Sequence, residues 1–299
     1  MSRNIPIRYV EPVFRPPSEA ESLILPVTDG CSWNKCTFCE MYSSPQKKFR
    51  ARDGAETMES LRRCGERFGN DIKRVFLADG DAMVLPTRRL LEILGAIGEQ
   101  LPAVRRVSSY CLPRNLRKKS VAELKELADA GLSMVYVGAE SGDDLVLEKV
   151  NKGESFASIC EALNKLKEAG IKRSMMILNG LGGSALSAQH ADNSARLANA
   201  VQPDYLATLT VSFPQGEERF RANFPEWQEL DQHGLLVEME RFICALELRR
   251  TVFRSDHASN WLLLKGNLGA DKQRLLGELH GAINHPETAR LRSARERGL

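Results

Sequence analysis

No apolar run in the 299-residue chain approaches the 18 residues that would suggest a bilayer span, and the opening stretch MSRNIPIRYVEPVF has no apolar core ahead of a small-residue cleavage site. Neither membrane insertion nor export is expected, and the expected location is cytoplasmic. A strong charge bias is also missing: 42 basic residues stand against 39 acidic ones, a net charge of +3, which does not by itself call for nucleic acid. Aromatic residues make up only 6% of the chain, few for a surface on which bases stack. There is no internal repeat, low-complexity tract or long linker. Cysteine is sparse, at seven residues, and in a reducing compartment such residues are more often ligands or catalysts than disulfides. What is present is enough apolar residue, 42%, to build the core of one large α/β domain.

Short β-branched or apolar runs alternate with helical patterns. Strands are expected near Leu23–Val27, Arg74–Leu77, Val104–Ser108, Met134–Gly138, Arg173–Leu178 and Tyr205–Val211, each bounded by Gly, Pro or Asp. Ser120 with Glu123 forms a capping box for a helix that stops at Gly131, and Phe156, Ile159, Leu163 and Leu166 recur at helical spacing before Gly170. Six strand-helix units predict a partial (β/α)6 TIM-like barrel with parallel strands, whose chemistry sits at the C-terminal strand ends. After about Phe213 the alternation stops. The expected organisation is an N-terminal extension over 1–21, a barrel over 22–213 and a helical, charged C-terminal segment over 214–299 that caps the substrate.

Three cysteines fall within nine positions of the loop after the first strand, GCSWNKCTFCEMY, as Cys31, Cys36 and Cys39. No fourth cysteine lies nearby and the chain has no second C-x-x-C, whereas structural zinc normally takes four closed ligands. Three thiolates suit an iron–sulfur cluster with one iron left open. Cys64 and Cys160 fall inside helical patterns and read as small buried residues.

The spacing Cys31-x4-Cys36-x2-Cys39, with Phe38 before the last cysteine, resembles the radical S-adenosylmethionine superfamily, whose usual spacing is one residue shorter between the first two cysteines. The segment VGAESGDDLVLEKVNKG resembles oxygen-independent coproporphyrinogen oxidases, methylthiotransferases and elongator-type radical enzymes. The resemblance covers residues 22 to about 215. It implies a [4Fe–4S] cluster on the three cysteines and S-adenosyl-L-methionine on its open iron. It also implies reductive cleavage to a 5′-deoxyadenosyl radical, hydrogen abstraction from a substrate, oxygen sensitivity and a flavodoxin- or ferredoxin-type reductant. By the same resemblance the backbone of the turn Asp79-Gly80-Asp81 holds the methionyl amino group. Glu140 contacts the ribose, Lys152 the methionyl carboxylate, and Asn179 and Gly180 let the backbone approach the adenosine.

The stretch from Phe253 to Leu276 resembles a segment found in a group of such proteins that share RPPSEAESLIL, Arg15 to Leu25. Its Arg254, His257 and Asn260 come at three-residue intervals and are candidates for one substrate-facing surface, with His257 the candidate acid or base. "LGADK" marks a helix start. Two basic runs, Lys47–Arg52 within KKFRAR and Arg114–Lys119 within RNLRKK, could hold a substrate's phosphate or carboxylate groups or an RNA backbone. A small-molecule substrate is expected ahead of RNA. Two other classes stay open: an electron-transfer or sensing protein that binds no S-adenosylmethionine, and a zinc-binding module.

Overall fold

The computed structural model describes residues 5–297; the first four residues of the expected N-terminal extension and the last two of the C-terminal segment lie outside them. In chain order the elements are β1 Leu23–Pro26, β2 Thr28–Asp29, β3 Arg50–Ala51, α1 Gly54–Phe68, β4 Arg74–Ala78, α2 Thr87–Gln100, β5 Arg106–Tyr110, α3 Val121–Asp129, β6 Leu132–Glu140, α4 Asp144–Lys149, α5 Phe156–Glu168, β7 Lys172–Asn179, α6 Gly183–Val201, β8 Tyr205–Thr210, α7 Glu218–Asn223, α8 Gln232–Ala245, β9 Thr251–Ser255, β10 Leu264–Leu268, α9 Lys272–Asn284 and α10 Ala294–Arg297. Eight of the strands form one sheet in the order β1-β4-β5-β6-β7-β8-β9-β10. Pairing is parallel from β1 through β6 and from β7 through β9, with β10 antiparallel to β9. This is the expected α/β architecture of a partial barrel.

Local chemistry explains the boundaries. Val75, Phe76, Leu77 and Ala78 of β4 are all fully buried, as a strand covered on both faces requires. The Ser120 hydroxyl accepts from the Glu123 N–H at 3.1 Å while the Glu123 carboxylate accepts from the Ser120 N–H at 2.8 Å, so the capping box opens α3 as read. Gly170, at φ +78°, follows α5, a conformation that glycine adopts without strain.

The C-terminal part differs from the expectation of a purely helical segment. β9 and β10 extend the sheet beyond six strands, joined by the loop that carries His257. TVFRS buries Thr251, Phe253 and Ser255 in the alternation of a strand, but its polar members hid that period. α9 begins at Lys272, where LGADK places it.

The chain divides into two compact units. One holds residues 5–34, 41–137 and 164–173; the other holds 35–40, 138–163 and 174–297. In the first, Ile24, Phe76 and Ala78 form a buried cluster against which Tyr9, Val13, Tyr110 and Tyr136 pack. Glu19, fully buried, accepts from Tyr136 Oη at 2.6 Å, Arg106 Nη2 at 2.8 Å and Ser108 Oγ at 2.9 Å. The RPPSEAESLIL segment is thus anchored by an internal carboxylate, three of whose partners lie more than 80 residues away. In the second unit, Val146, Val150, Leu178, Leu181, Val211, Phe220, Phe224 and Trp227 form the core, with Phe38 packed against it. Among the described residues no helix is long and apolar enough to cross a membrane.

Candidate functional site

The cysteine loop leaves β1 and is shared between the units: Cys31 belongs to the first, Cys36 and Cys39 to the second. All three thiols are partly exposed and none of the seven cysteines is in a disulfide. Among the described residues no three His, Cys, Asp or Glu side chains gather as a set for one metal ion. A cluster does not ask that of its thiolates, since each binds a different iron.

Around Cys31 the backbone is tightly held. Gly80 approaches so closely that a methyl group there would overlap the Gly30 carbonyl and the Cys31 Cα. Asp81, fully buried, accepts from the Ser32 N–H at 2.9 Å, from the Ser32 hydroxyl, and from Asn115 Nδ2 at 3.0 Å. Asp79 takes the buried Lys47 ammonium and the Tyr42 hydroxyl, the latter at 3.2 Å. Burial pushes both carboxyls above the usual range, against the pull of Lys47 on Asp79 and of the Ser32 and Asn115 donors on Asp81. The side chains of the Asp79-Gly80-Asp81 turn are therefore engaged within the protein. Asn34, at φ +41°, turns its N–H to Cys31 Sγ at 3.5 Å, and the Arg114 guanidinium lies 3.6 Å from the Trp33 ring centre.

The basic runs are largely consumed here. Lys47 is buried against Asp79, Arg50 and Arg52 pair with Asp29, Asn115 binds Asp81, and Lys119 donates to the Leu85 carbonyl at 2.7 Å. Sequence reasoning read them as charge; it missed Ser32, Tyr42 and Asn115, which no local pattern marks because their partners lie on other loops.

In the second unit, Cys36 and Cys39 sit on a short turn in which the Cys39 N–H donates to the Cys36 carbonyl at 3.3 Å. Arg219 Nη1 donates to the Cys39 carbonyl at 3.3 Å and the Gln215 N–H to Glu40 at 3.2 Å. At the end of β6, Glu140 and Lys152 form a buried pair at 3.0 Å. Burial disfavours the Lys152 ammonium, but Glu140, Cys36 and Cys39 overcome it and hold the amine above its ordinary range. The ammonium lies 5.9 Å from the Phe38 ring centre. Glu140 adopts φ +66°, and its Oε2 is buried without a hydrogen-bond partner.

Asn179 at the end of β7 is buried, its amide 3.8 Å from Met239 Sδ. The N–H of Gly180 donates to Glu238 at 2.6 Å and its carbonyl accepts from Trp227 Nε1 at 3.1 Å, so this turn is pinned internally. Arg254, His257 and Asn260 do not share one face. Arg254 is exposed on β9, while Asn260 is buried, its amide bonded to Thr210, to the Thr208 carbonyl and to Ser255. His257 sits in the following loop, its Nδ1 2.9 Å from Ser259 Oγ; burial and the Arg292 guanidinium push the imidazole below its usual value. The three-residue spacing implied a helix or turn, but the strand ends between the first two of these residues.

Comparison with known proteins shows the family and the fold. The heme chaperone HemW of Bacillus subtilis is 20% identical over 182 residues, covering 59% of this chain, which spans only 47% of that relative. Coproporphyrinogen III oxidase (HemN) from Escherichia coli, a radical SAM enzyme, superposes with a TM-score of 0.55 at 13% identity over 75% of this chain and 51% of its own. TsrM from Kitasatospora setae, a radical S-adenosylmethionine methyltransferase with cobalamin and a [4Fe–4S] cluster bound, gives 0.52 at 17% identity over 63% of this chain and 36% of its own. The model of the Radical SAM superfamily matches residues 25–196. The chain belongs to the radical SAM superfamily, whose enzymes use a [4Fe–4S] cluster and S-adenosylmethionine.

Proposed function

We propose that the chain generates a radical from S-adenosylmethionine and acts on a small-molecule substrate, with Cys31, Cys36 and Cys39 holding three irons of the cluster and Glu140 and Lys152 receiving the cofactor. The observation that carries this reading is the buried Glu140–Lys152 pair, in which Glu140 Oε2 has no partner and Lys152 feels the Cys36 and Cys39 thiolates. A buried acceptor left unpaired costs about 1–3 kcal/mol, and a ribose hydroxyl would supply the missing donor. The ammonium is the complement for a methionyl carboxylate. When bound, the cluster on Cys31, Cys36 and Cys39 and the cofactor on Glu140 and Lys152 would supply one-electron reductive cleavage of the sulfonium and hydrogen abstraction from substrate.

The protein's part is to hold, orient and keep water out. Phe38, packed on the Val150, Leu178 and Trp227 core, gives the Cys36–Cys39 turn an apolar floor. His257 is the candidate for substrate contact in the C-terminal segment, while Asn260, its amide spent on β8 and Ser255, is assigned to scaffolding. The internal pairing of the basic runs supports a small molecule over RNA. A flavodoxin- or ferredoxin-type protein is the proposed reductant.

Anaerobic reconstitution tests the reading. The expected result is about four irons and four sulfides per chain, with 5′-deoxyadenosine formed from S-adenosylmethionine and a low-potential reductant, and deuterium carried into it from the true substrate. Cluster uptake without 5′-deoxyadenosine would favour electron transfer, and zinc with no visible absorption would overturn the cluster.

A further inference from the structure

We infer that Asp81 is a positioning residue for Cys31, acting through Ser32, rather than a contact for the cofactor's amino group. The inference rests on the cluster reading above. A carboxylate offers two oxygens with roughly four acceptor sites. In Asp81, Oδ1 takes the Ser32 N–H at 2.9 Å, and Oδ2 takes both the Ser32 hydroxyl and Asn115 Nδ2, the latter at 3.0 Å. Both donors of Ser32 are thus tied to one fully buried group, and the residue next in the chain to Cys31 has little freedom left. Asn115, on the turn after β5, braces the carboxylate in its turn, so the anchor is itself anchored.

The four-residue spacer that follows completes the clamp. Trp33 is covered by Arg114, which comes from the same turn as Asn115. Asn34 takes up the left-handed conformation that asparagine tolerates better than most residues. There its N–H reaches back to Cys31 Sγ and its Nδ2 donates to the Tyr42 carbonyl at 3.0 Å. The spacer, one residue longer than the superfamily's usual one, closes a turn that returns a hydrogen bond to the sulfur. Hydrogen bonds to cluster sulfurs and supporting partners of ligands set both potential and retention. Releasing Ser32 would loosen Cys31 and weaken that N–H···S bond together.

The test uses reconstituted full-length protein carrying Asp81→Ala, Asp81→Asn or Ser32→Ala. It reads the electron paramagnetic resonance spectrum of the reduced cluster, its midpoint potential, and the rate of cluster loss to a chelator. Asp81→Ala should lose the cluster about tenfold faster or more, the range for removing a ligand's supporting partner, with a shifted spectrum and potential. Asp81→Asn, which keeps one acceptor oxygen, should fall between it and the wild type. Ser32→Ala should accelerate loss measurably but by less than Asp81→Ala, since one of its two donors remains. S-adenosylmethionine affinity should change by less than about twofold in all three, as expected of a group that binds only protein donors. Wild-type spectrum and chelator kinetics in Asp81→Ala, with weakened cofactor binding, would overturn the inference and make Asp81 a cofactor contact. If Asp81→Ala does not fold, Ser32→Ala decides: an unchanged spectrum and loss rate overturn the proposal. A wild-type protein that takes up no cluster overturns the function reading itself, whereas a wild-type cluster that the variants leave unmoved overturns only the role of Asp81.

Discussion

Around Cys31, donors converge on a carboxylate and every named polar atom of Asp81 is used. Around Cys36 and Cys39 the arrangement is reversed: the Lys152 ammonium is held by these two cysteines and by Glu140, and the carboxylate that pairs with it keeps one oxygen buried and unpartnered. The first region already gives each carboxylate oxygen of Asp81 a protein donor. The second retains a cation and an acceptor that a polar ligand could use. A satisfied network suits the holding of a loop, while an unsatisfied buried acceptor suits binding, because only there does a ligand gain from the missing bond. Each region also has one cation beside a ring: Arg114 at 3.6 Å from the Trp33 centre, and Lys152 at 5.9 Å from Phe38.

The largest expected effect tests whether the two regions serve one cluster. Cys31→Ala, Cys36→Ala and Cys39→Ala should each abolish iron uptake and visible absorption on anaerobic reconstitution, while Cys64→Ala and Cys244→Ala keep them. Iron retained in Cys31→Ala would separate the regions for good.

Next comes the charge asymmetry. Lys152→Met leaves the Glu140 carboxylate buried and unpaired, which should cost about 3–5 kcal/mol in urea unfolding, and adding Glu140→Gln should recover much of it. Equal stability of the single and double variants would break the reading of Lys152 as the partner that makes this buried carboxylate tolerable. Measured by cofactor titration of reconstituted protein, Glu140→Gln alone should weaken S-adenosylmethionine binding by about 1–3 kcal/mol while leaving iron content intact. Gly80→Ala should do the opposite. Forcing a methyl group against the Gly30 carbonyl should cost about 1–3 kcal/mol of overpacking and lower cluster retention in a chelator assay, with the Glu140–Lys152 pair undisturbed.

The smallest effect concerns the cation–ring contacts. Arg114→Gln should reduce stability by about 0.5–1 kcal/mol, the value for a partly exposed cation over tryptophan, and Phe38→Leu should change it less through its more distant cation. A denaturant titration that reverses this order would mean that the two regions differ in burial rather than in contact geometry.

The sequence by itself determined six strands of the main sheet, β1, β4, β5, β6, β7 and β8, the stops at Gly131 and Gly170, the capping box at Ser120 and the cysteine spacing, but not the small antiparallel pair β2–β3. These features are legible because hydrophobic period, turn chemistry and ligand spacing are local properties of the chain. It did not reveal β9 and β10, whose polar alternation reads as a loop until β8 offers an edge to pair with. Nor could it tell that Lys47 and Lys119 are buried, that Glu19 anchors the N-terminal segment, or that Arg254 and Asn260 part company across the end of a strand. Only the tertiary structure decided which charges meet, since Asp81 and Ser32 are 49 positions apart and Asp79 and Lys47 are 32 apart. A residue's charge is written in its side chain, but whether that charge faces water, a ligand or a partner depends on which distant loop the fold brings to it.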